Sequence, residues 1–121
     1  MYELEKIFCF EAAHFLNHHD GKCKSMHGHS YSLHVIIRKQ SLQKEGPKKN
    51  MVIDFQDLAD LVQPMLKKYL DHQCLNETLQ SDSTTVEFVC KWIYDYLKPM
   101  LPELYAITLY ETASSKATYW I

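Results

Sequence analysis

Apolar positions alternate imperfectly over residues 2–13 and cleanly over residues 30–38. In SYSLHVIIR, Tyr31, Leu33, Val35 and Ile37 share one face at the period of two that marks a half-buried strand. Residues 2–13, rich in aromatic and apolar side chains, read as a first strand. Residues 40–50 are polar, contain Gly46-Pro47, and read as a loop. The period then changes. Phe55, Leu58, Leu61, Val62, Met65, Leu66 and Tyr69 recur at helical spacing behind Asp54, whose carboxylate can accept from a free amide of the first turn. Pro64 lies inside this helix and should bend it or remove one hydrogen bond. A second helix starts near Thr84 and stops at Pro99, with Val86, Val89, Cys90, Ile93 and Leu97 as its apolar stripe. Thr84 and Glu87 stand at capping-box spacing. Residues 104–112 and 117–121 read as two more strands around a Ser114-Ser115 turn.

The order strand, strand, helix, helix, strand, strand predicts an α+β fold, two helices against an antiparallel sheet. A chain of 121 residues, 46% of them hydrophobic, fits one compact domain over residues 1–121 with a substantial core. Four strands leave edges that must be covered or paired, which predicts a homo-oligomer joined edge to edge.

Composition narrows the chemistry. A formal net charge of −2 argues against a nucleic-acid binder. Lys48-Lys49, the one notable basic cluster, reads as part of a solvated loop. No apolar stretch is long enough to span a bilayer, and no signal-peptide pattern is present. The four cysteines are widely spaced without a C-x-x-C pair, so free thiols in a reducing cytoplasm are expected.

Seven histidines is a high count for this length. His27 and His29 flank Gly28, and on a strand they share one face with Cα atoms ~6.5–7 Å apart. Two imidazoles so placed can converge on one ion, and Gly28 leaves the opposite face bare. A catalytic zinc commonly has three protein ligands and one open position, and His14, at the end of the first strand, is the best third candidate. The plainer alternative is a pair of surface histidines on an edge strand. Cys23 is either a fourth ligand that closes a structural site or a reactive thiol whose pKa a nearby cation lowers. His72 follows Asp71 and is either an imidazole oriented by a carboxylate or a helix-terminal histidine favoured by the dipole. His18 and His19 read as solvated loop residues, and His34 has the wrong strand parity for the site. Glu111 is either an exposed strand carboxylate or an anchor for a ligand with adjacent N–H donors.

Taken together, FEAAH (10–14), C-x-x-x-H-G-H (23–29), VIDF (52–55), LDHQCLN (70–76), TTVE (84–87) and YET (110–112) resemble the 6-pyruvoyl- and 6-carboxy-tetrahydropterin synthase family over nearly the whole chain. The resemblance implies the tunnelling fold, or T-fold, in which β-β-α-α-β-β units assemble into barrels. Hexamers built from two trimers, with active sites between subunits, are implied as well. By motif position His14, His27 and His29 look like zinc ligands and Cys23 like the catalytic base. His72 with Asp71 looks like a proton-relay pair supplied by a neighbouring subunit, and Glu111 like the carboxylate that holds the pterin. The substrate implied is 7,8-dihydroneopterin triphosphate. Short length and Ser30 after HGH favour the branch that forms 6-carboxy-tetrahydropterin, acetaldehyde and triphosphate for 7-deazaguanine and queuosine synthesis. The pyruvoyl branch, which eliminates triphosphate without side-chain cleavage, is the alternative. A zinc- or pterin-binding module without turnover is a reading of another class, disfavoured by Cys23. A zinc nucleoside deaminase is disfavoured by the missing P-C-x-x-C half of its signature. Ser83 stands where the family usually has proline before the second helix, and is expected to affect only the helix start.

Overall fold

The computed structural model describes all of residues 1–121. Two long strands, β1 (Tyr2–His14) and β2 (His27–Lys39), run antiparallel over their full length. They are followed by α1 (Phe55–Met65), a two-residue strand β3 (Gln73–Cys74), a single-turn α2 (Leu75–Thr78), α3 (Val86–Leu97), β4 (Leu104–Thr112) and β5 (Ser115–Trp120). The five strands form one sheet in the order β3-β1-β2-β4-β5. Only the β1–β3 pairing is parallel. The α+β architecture expected from the pattern of periods is thus the one observed.

The core follows from strand parity. Phe8, Phe10 and Ala12 of β1 sit opposite Leu33, Tyr31 and His29 of β2, so the even positions of one strand and the odd positions of the other share a face. That face is buried by Leu58, Val62 and Met65 of α1 and by Val89, Cys90, Ile93 and Leu97 of α3. The opposite face is largely open: Glu5, Ile7 and Cys9 are exposed there, and His34 bonds Glu5 through Nδ1 at 2.9 Å. His34 therefore lies away from His27 and His29, as its parity requires.

Several boundaries differ from expectation. The second strand begins at His27 and not at Ser30, because residues 27–30 pair with residues 11–14 of β1. Asp54 caps α1, accepting from Gln56 N–H at 2.8 Å. The helix passes through Pro64 and widens directly after it, over Leu66–Leu70, into a π-turn closed by Asp71 N–H to the Leu66 carbonyl at 2.7 Å. The second helix is capped one residue later than its capping-box spacing predicts. Thr85 Oγ1 accepts from Phe88 N–H at 3.1 Å, while Thr84 is fully buried and its hydroxyl donates to Asn76 Oδ1 at 3.1 Å. Ser83 accordingly lies outside the helix. It bridges to Leu16, and its amide donates to Ser81 Oγ at 3.1 Å. The last hairpin turns at Ala113-Ser114, so β5 starts at Ser115. β3 and α2 are too short for any periodic pattern to announce. All four cysteines are free, and Cys90 is an inert core thiol: burial raises its pKa to about 11, and its Sγ donates to the Ile107 carbonyl. No helix is long and apolar enough to cross a membrane.

The displaced cap is directly testable. Thr85→Ala should lower the free energy of unfolding by about 1 kcal/mol. Glu87→Ala should change it by no more than about 0.5 kcal/mol, since the box is not formed. Chemical denaturation of the two variants checks this.

Candidate active site

The β1–β2 register sets His14 opposite His27 and Ala12 opposite His29, which puts three imidazoles at one end of the strand pair on the core-facing side. Ring centroids are separated by 4.6 Å for His14–His27, 5.1 Å for His14–His29 and 4.9 Å for His27–His29. Their ligating nitrogens all lie within 4.8 Å of one another. His14 is buried, with His27 and His29 half-buried. The alternative of two solvated histidines on an edge is therefore set aside, because β2 is an interior strand between β1 and β4.

Hydrogen bonds reveal which nitrogens face inward. His14 Nδ1 is 2.8 Å from the Thr84 carbonyl, and His27 Nδ1 is 2.7 Å from the Ser25 carbonyl. A carbonyl only accepts, so each Nδ1 must carry the proton. In neutral rings the lone pairs then sit on Nε2, and the two Nε2 atoms face each other at 3.0 Å. Two lone pairs at that distance repel unless a proton or a cation lies between them. His29 Nε2 is buried with no partner at all. Burial also lowers the His14 pKa, against the Thr84 carbonyl and the Glu111 charge, which raise it. Two nitrogen lone pairs and the unpaired His29 nitrogen thus converge, a donor set that a cation could take. Tetrahedral ligands ~2.05 Å from zinc stand ~3.3 Å apart, so small ring movements suffice to bind one.

Glu111 borders this cluster. Alternation along β4 puts it on the core side with Ile107 and Leu109, its carboxylate 3.9 Å from His14 Nε2 and 3.8 Å from His29 Nε2. It is not the exposed strand carboxylate that its place near a strand end allowed. Tyr31, next on the same face of β2, is buried, and burial with the Glu111 charge pushes its pKa well above the ordinary tyrosine range.

The other residues singled out in the sequence are placed elsewhere. Cys23 sits half-buried on a 3-10 turn (Lys22–Lys24) before β2 and is not part of the histidine cluster. Asp71 and His72 form a pair, His72 Nδ1 to Asp71 Oδ1 at 3.0 Å. The same carboxylate oxygen accepts from Glu11 N–H at 3.0 Å, and this, followed by His72, lowers the Asp71 pKa. His72 has a positive φ of 58° and is mostly exposed. It lines a cleft of about 580 Å³ along with Glu11, Ala13, Gly28 and Ser30. Added at Gly28, a Cβ would meet the Ala12 carbonyl at 3.6 Å, ordinary contact, so the chain's own packing does not demand glycine. What glycine does is keep the floor of this cleft bare. His18 pairs with Asp82 in the open at 2.8 Å.

Two contributors gave no advance signal. Thr84 orients His14 through its backbone, which no side-chain pattern can show. Asn76 is buried and clamps three segments: Oδ1 accepts from Phe15 N–H at 2.9 Å, and Nδ2 donates to the Phe15 carbonyl at 2.8 Å and the Ser81 carbonyl at 3.0 Å. Asn76 stands among polar residues such as Gln73, Glu77 and Thr78, so nothing in the local pattern singles it out.

Known proteins with this arrangement point one way. The sequence profile described as 6-pyruvoyl tetrahydropterin synthase matches residues 3–121. A 6-carboxy-5,6,7,8-tetrahydropterin synthase from Synechocystis is 39% identical, covering 99% of this chain and 94% of that protein. One from Haemophilus influenzae is 34% identical, covering 98% and 99%. The structure of Caenorhabditis elegans 6-pyruvoyl tetrahydropterin synthase superposes with a TM-score of 0.84 at 28% identity, covering 99% of this chain and 95% of that one. The chain belongs to the 6-pyruvoyl tetrahydropterin synthase family. It is an enzyme of the lyase class, as the named tetrahydropterin synthases are, and its fold is theirs.

His29→Ala should leave a two-imidazole site and lose most bound metal, because His14 and His27 alone cannot complete a coordination sphere. Elemental analysis of purified protein checks this, with circular dichroism confirming that the fold is retained.

Proposed function

We propose that this protein is a zinc-dependent 6-carboxy-5,6,7,8-tetrahydropterin synthase. It would convert 7,8-dihydroneopterin triphosphate and one water to 6-carboxy-tetrahydropterin, acetaldehyde and triphosphate, on the route to 7-deazaguanines and queuosine. The observation that carries the reading is the convergence of three imidazoles, two of them with Nε2 unprotonated, beside the Glu111 carboxylate. The carboxy product is favoured over the pyruvoyl one by the names of the two relatives described above.

His14, His27 and His29 would hold the zinc, each through Nε2, with Thr84 and Ser25 fixing the tautomers of the first two. Bound there, zinc supplies Lewis-acid polarisation of a substrate oxygen. Glu111 offers two acceptor oxygens in one plane, the complement of the amine and ring N–H that a pterin presents side by side. Its position next to the histidines would hold the pterin side chain at the site where charge develops. Cys23, on the turn that leads into His27, is the proposed base for protons on that side chain. His72 is its counterpart, with Asp71 accepting from Nδ1 and so leaving Nε2 free to exchange a proton.

His72 of the Asp71–His72 pair is exposed at the β1–β3 edge of the sheet and lines the same cleft as His29. This supports its delivery to a neighbouring subunit's site in a homohexamer, a dimer of trimers, with residues 1–121 acting as one tetrahydropterin synthase domain. A cytoplasmic location fits free thiols and a small phosphorylated substrate.

The roles separate by variant. Cys23→Ala should keep about one zinc per chain and the fold but lose turnover by at least about 100-fold. Glu111→Gln puts an amide N–H against a ligand N–H and should weaken pterin binding by about 1–3 kcal/mol while keeping zinc. Metal loss in Glu111→Gln would make that carboxylate a fourth ligand, and unchanged pterin affinity by calorimetry would remove it from the site.

The reaction itself is read by a coupled alcohol dehydrogenase assay for acetaldehyde, beside mass spectrometry of the pterin. One acetaldehyde per 6-carboxy-tetrahydropterin is expected. A 6-pyruvoyl product with no acetaldehyde would replace the carboxy assignment by the pyruvoyl one. No turnover despite tight pterin binding would leave a binding module.

A further inference from the structure

Tyr31 follows His27 and His29 on the core face of β2 and is 1% exposed. Its hydroxyl has no hydrogen-bond partner. Buried hydroxyls are almost always paired, because an unpaired one keeps the loss of hydration without compensation. Packing does not explain the group. Tyr31 stacks on Phe10 with ring centroids 4.8 Å apart and planes 8° from parallel, and a phenylalanine would fill that space equally well.

The direction of the ring is informative. Phe10, the cross-strand partner of Tyr31, lies four residues before His14 on β1, about 13 Å along an extended strand. The Tyr31 and His14 ring centroids are nevertheless only 6.3 Å apart, and Tyr31 is 5.6 Å from His29. Both side chains must lean toward each other along the strands. Tyr31 stands edge-on to the two histidines, with interplanar angles of 84° and 78°. On the other side, the β2–β4 register runs through Ser32 opposite Tyr110. One antiparallel step further sets Glu111 across from Tyr31. The Glu111 carboxylate lies within 3.9 Å of the same two histidines, at His14 Nε2 and His29 Nε2. Tyr31 and Glu111 therefore flank one pair of rings from adjacent strands.

The acceptor that the β2–β4 register places beside the hydroxyl is the Glu111 carboxylate, a group of this chain that can turn toward it when the site fills. We infer that Tyr31 is a positioning residue for Glu111: in the ligand-bound state its hydroxyl donates to one carboxylate oxygen and turns the carboxylate toward the bound heterocycle. This rests on the pterin reading above and adds to it a residue that acts through Glu111 without touching the ligand.

The test is a double-mutant cycle on zinc-loaded protein, with neopterin titrated by calorimetry. Tyr31→Phe should retain zinc by elemental analysis. The melting temperature of the metal-free protein should be unchanged or higher, since an unpaired buried hydroxyl has been removed. Neopterin affinity should fall by about tenfold. In a Glu111→Gln background the same substitution should change affinity by less than about twofold, because the group that it positions is already altered. Unchanged affinity in Tyr31→Phe overturns the inference, as does an equal loss in both backgrounds. A lowered melting temperature with metal loss would assign Tyr31 to packing and overturn it too. Zinc-loaded wild type that binds no neopterin would overturn the pterin reading and this inference with it. Binding by wild type that Tyr31→Phe leaves intact overturns the role of Tyr31 alone.

Discussion

Two backbone carbonyls, of Thr84 and Ser25, decide the chemistry of the histidine cluster. Each accepts from an Nδ1–H and thereby sends a lone pair from Nε2 toward the centre. Without them the imidazoles could exchange tautomers, and His14 and His27 could settle the 3.0 Å contact between them as an ordinary hydrogen bond. With them, the contact is between two acceptors, which a proton or a cation between the rings would relieve.

Much of the surrounding structure serves to hold those carbonyls. Leu16 bridges to Ser83, Asn17 N–H donates to the Asp82 carbonyl at 3.1 Å, and Asn76 ties Phe15, Ser81 and Thr84 together. The loop before α3 is therefore fastened to the end of β1, which carries His14. Displacing the α3 cap to Thr85 belongs to the same arrangement: it leaves Thr84 free to face inward, hydroxyl on Asn76 and carbonyl on His14. The strand register is equally constrained. A one-residue slip between β1 and β2 would turn the aromatic row into solvent and scatter the histidines, so the apolar core and the histidine cluster depend on the same pairing.

Two chemical zones meet at one cleft. Histidines, Glu111 and Tyr31 cluster at one end of the core-facing side, while Asp71 and His72 stand at the β1–β3 edge, and His29, Gly28 and His72 all line the cleft between. The π-turn after Pro64 and the positive φ of His72 deliver this second pair to the edge, and both are departures from regular geometry next to chemically active groups. An edge that presents a charged pair and a bare cleft is suited to a second subunit, which is how the proposed inter-subunit site would draw on both zones.

Local sequence by itself determined the types of the long elements and singled out most residues of the candidate site. Period-two and helical patterns set the strands and helices. H-x-H on a strand placed His27 and His29 together, and parity excluded His34. What it could not determine was where strands began and how distant segments met. His27–Ser30 are strand because β1 continues opposite them, a pairing that no local propensity encodes. The Thr84 and Thr85 choice was undecidable from spacing, since both hydroxyls can cap and only burial against Asn76 selects one. The meeting of the Thr84 carbonyl with His14 depends on backbone path, whereas the inward side of Glu111 follows from its parity with Ile107 and Leu109. Backbone acceptors look alike at every residue, so which one meets His14 was decided only when the chain folded.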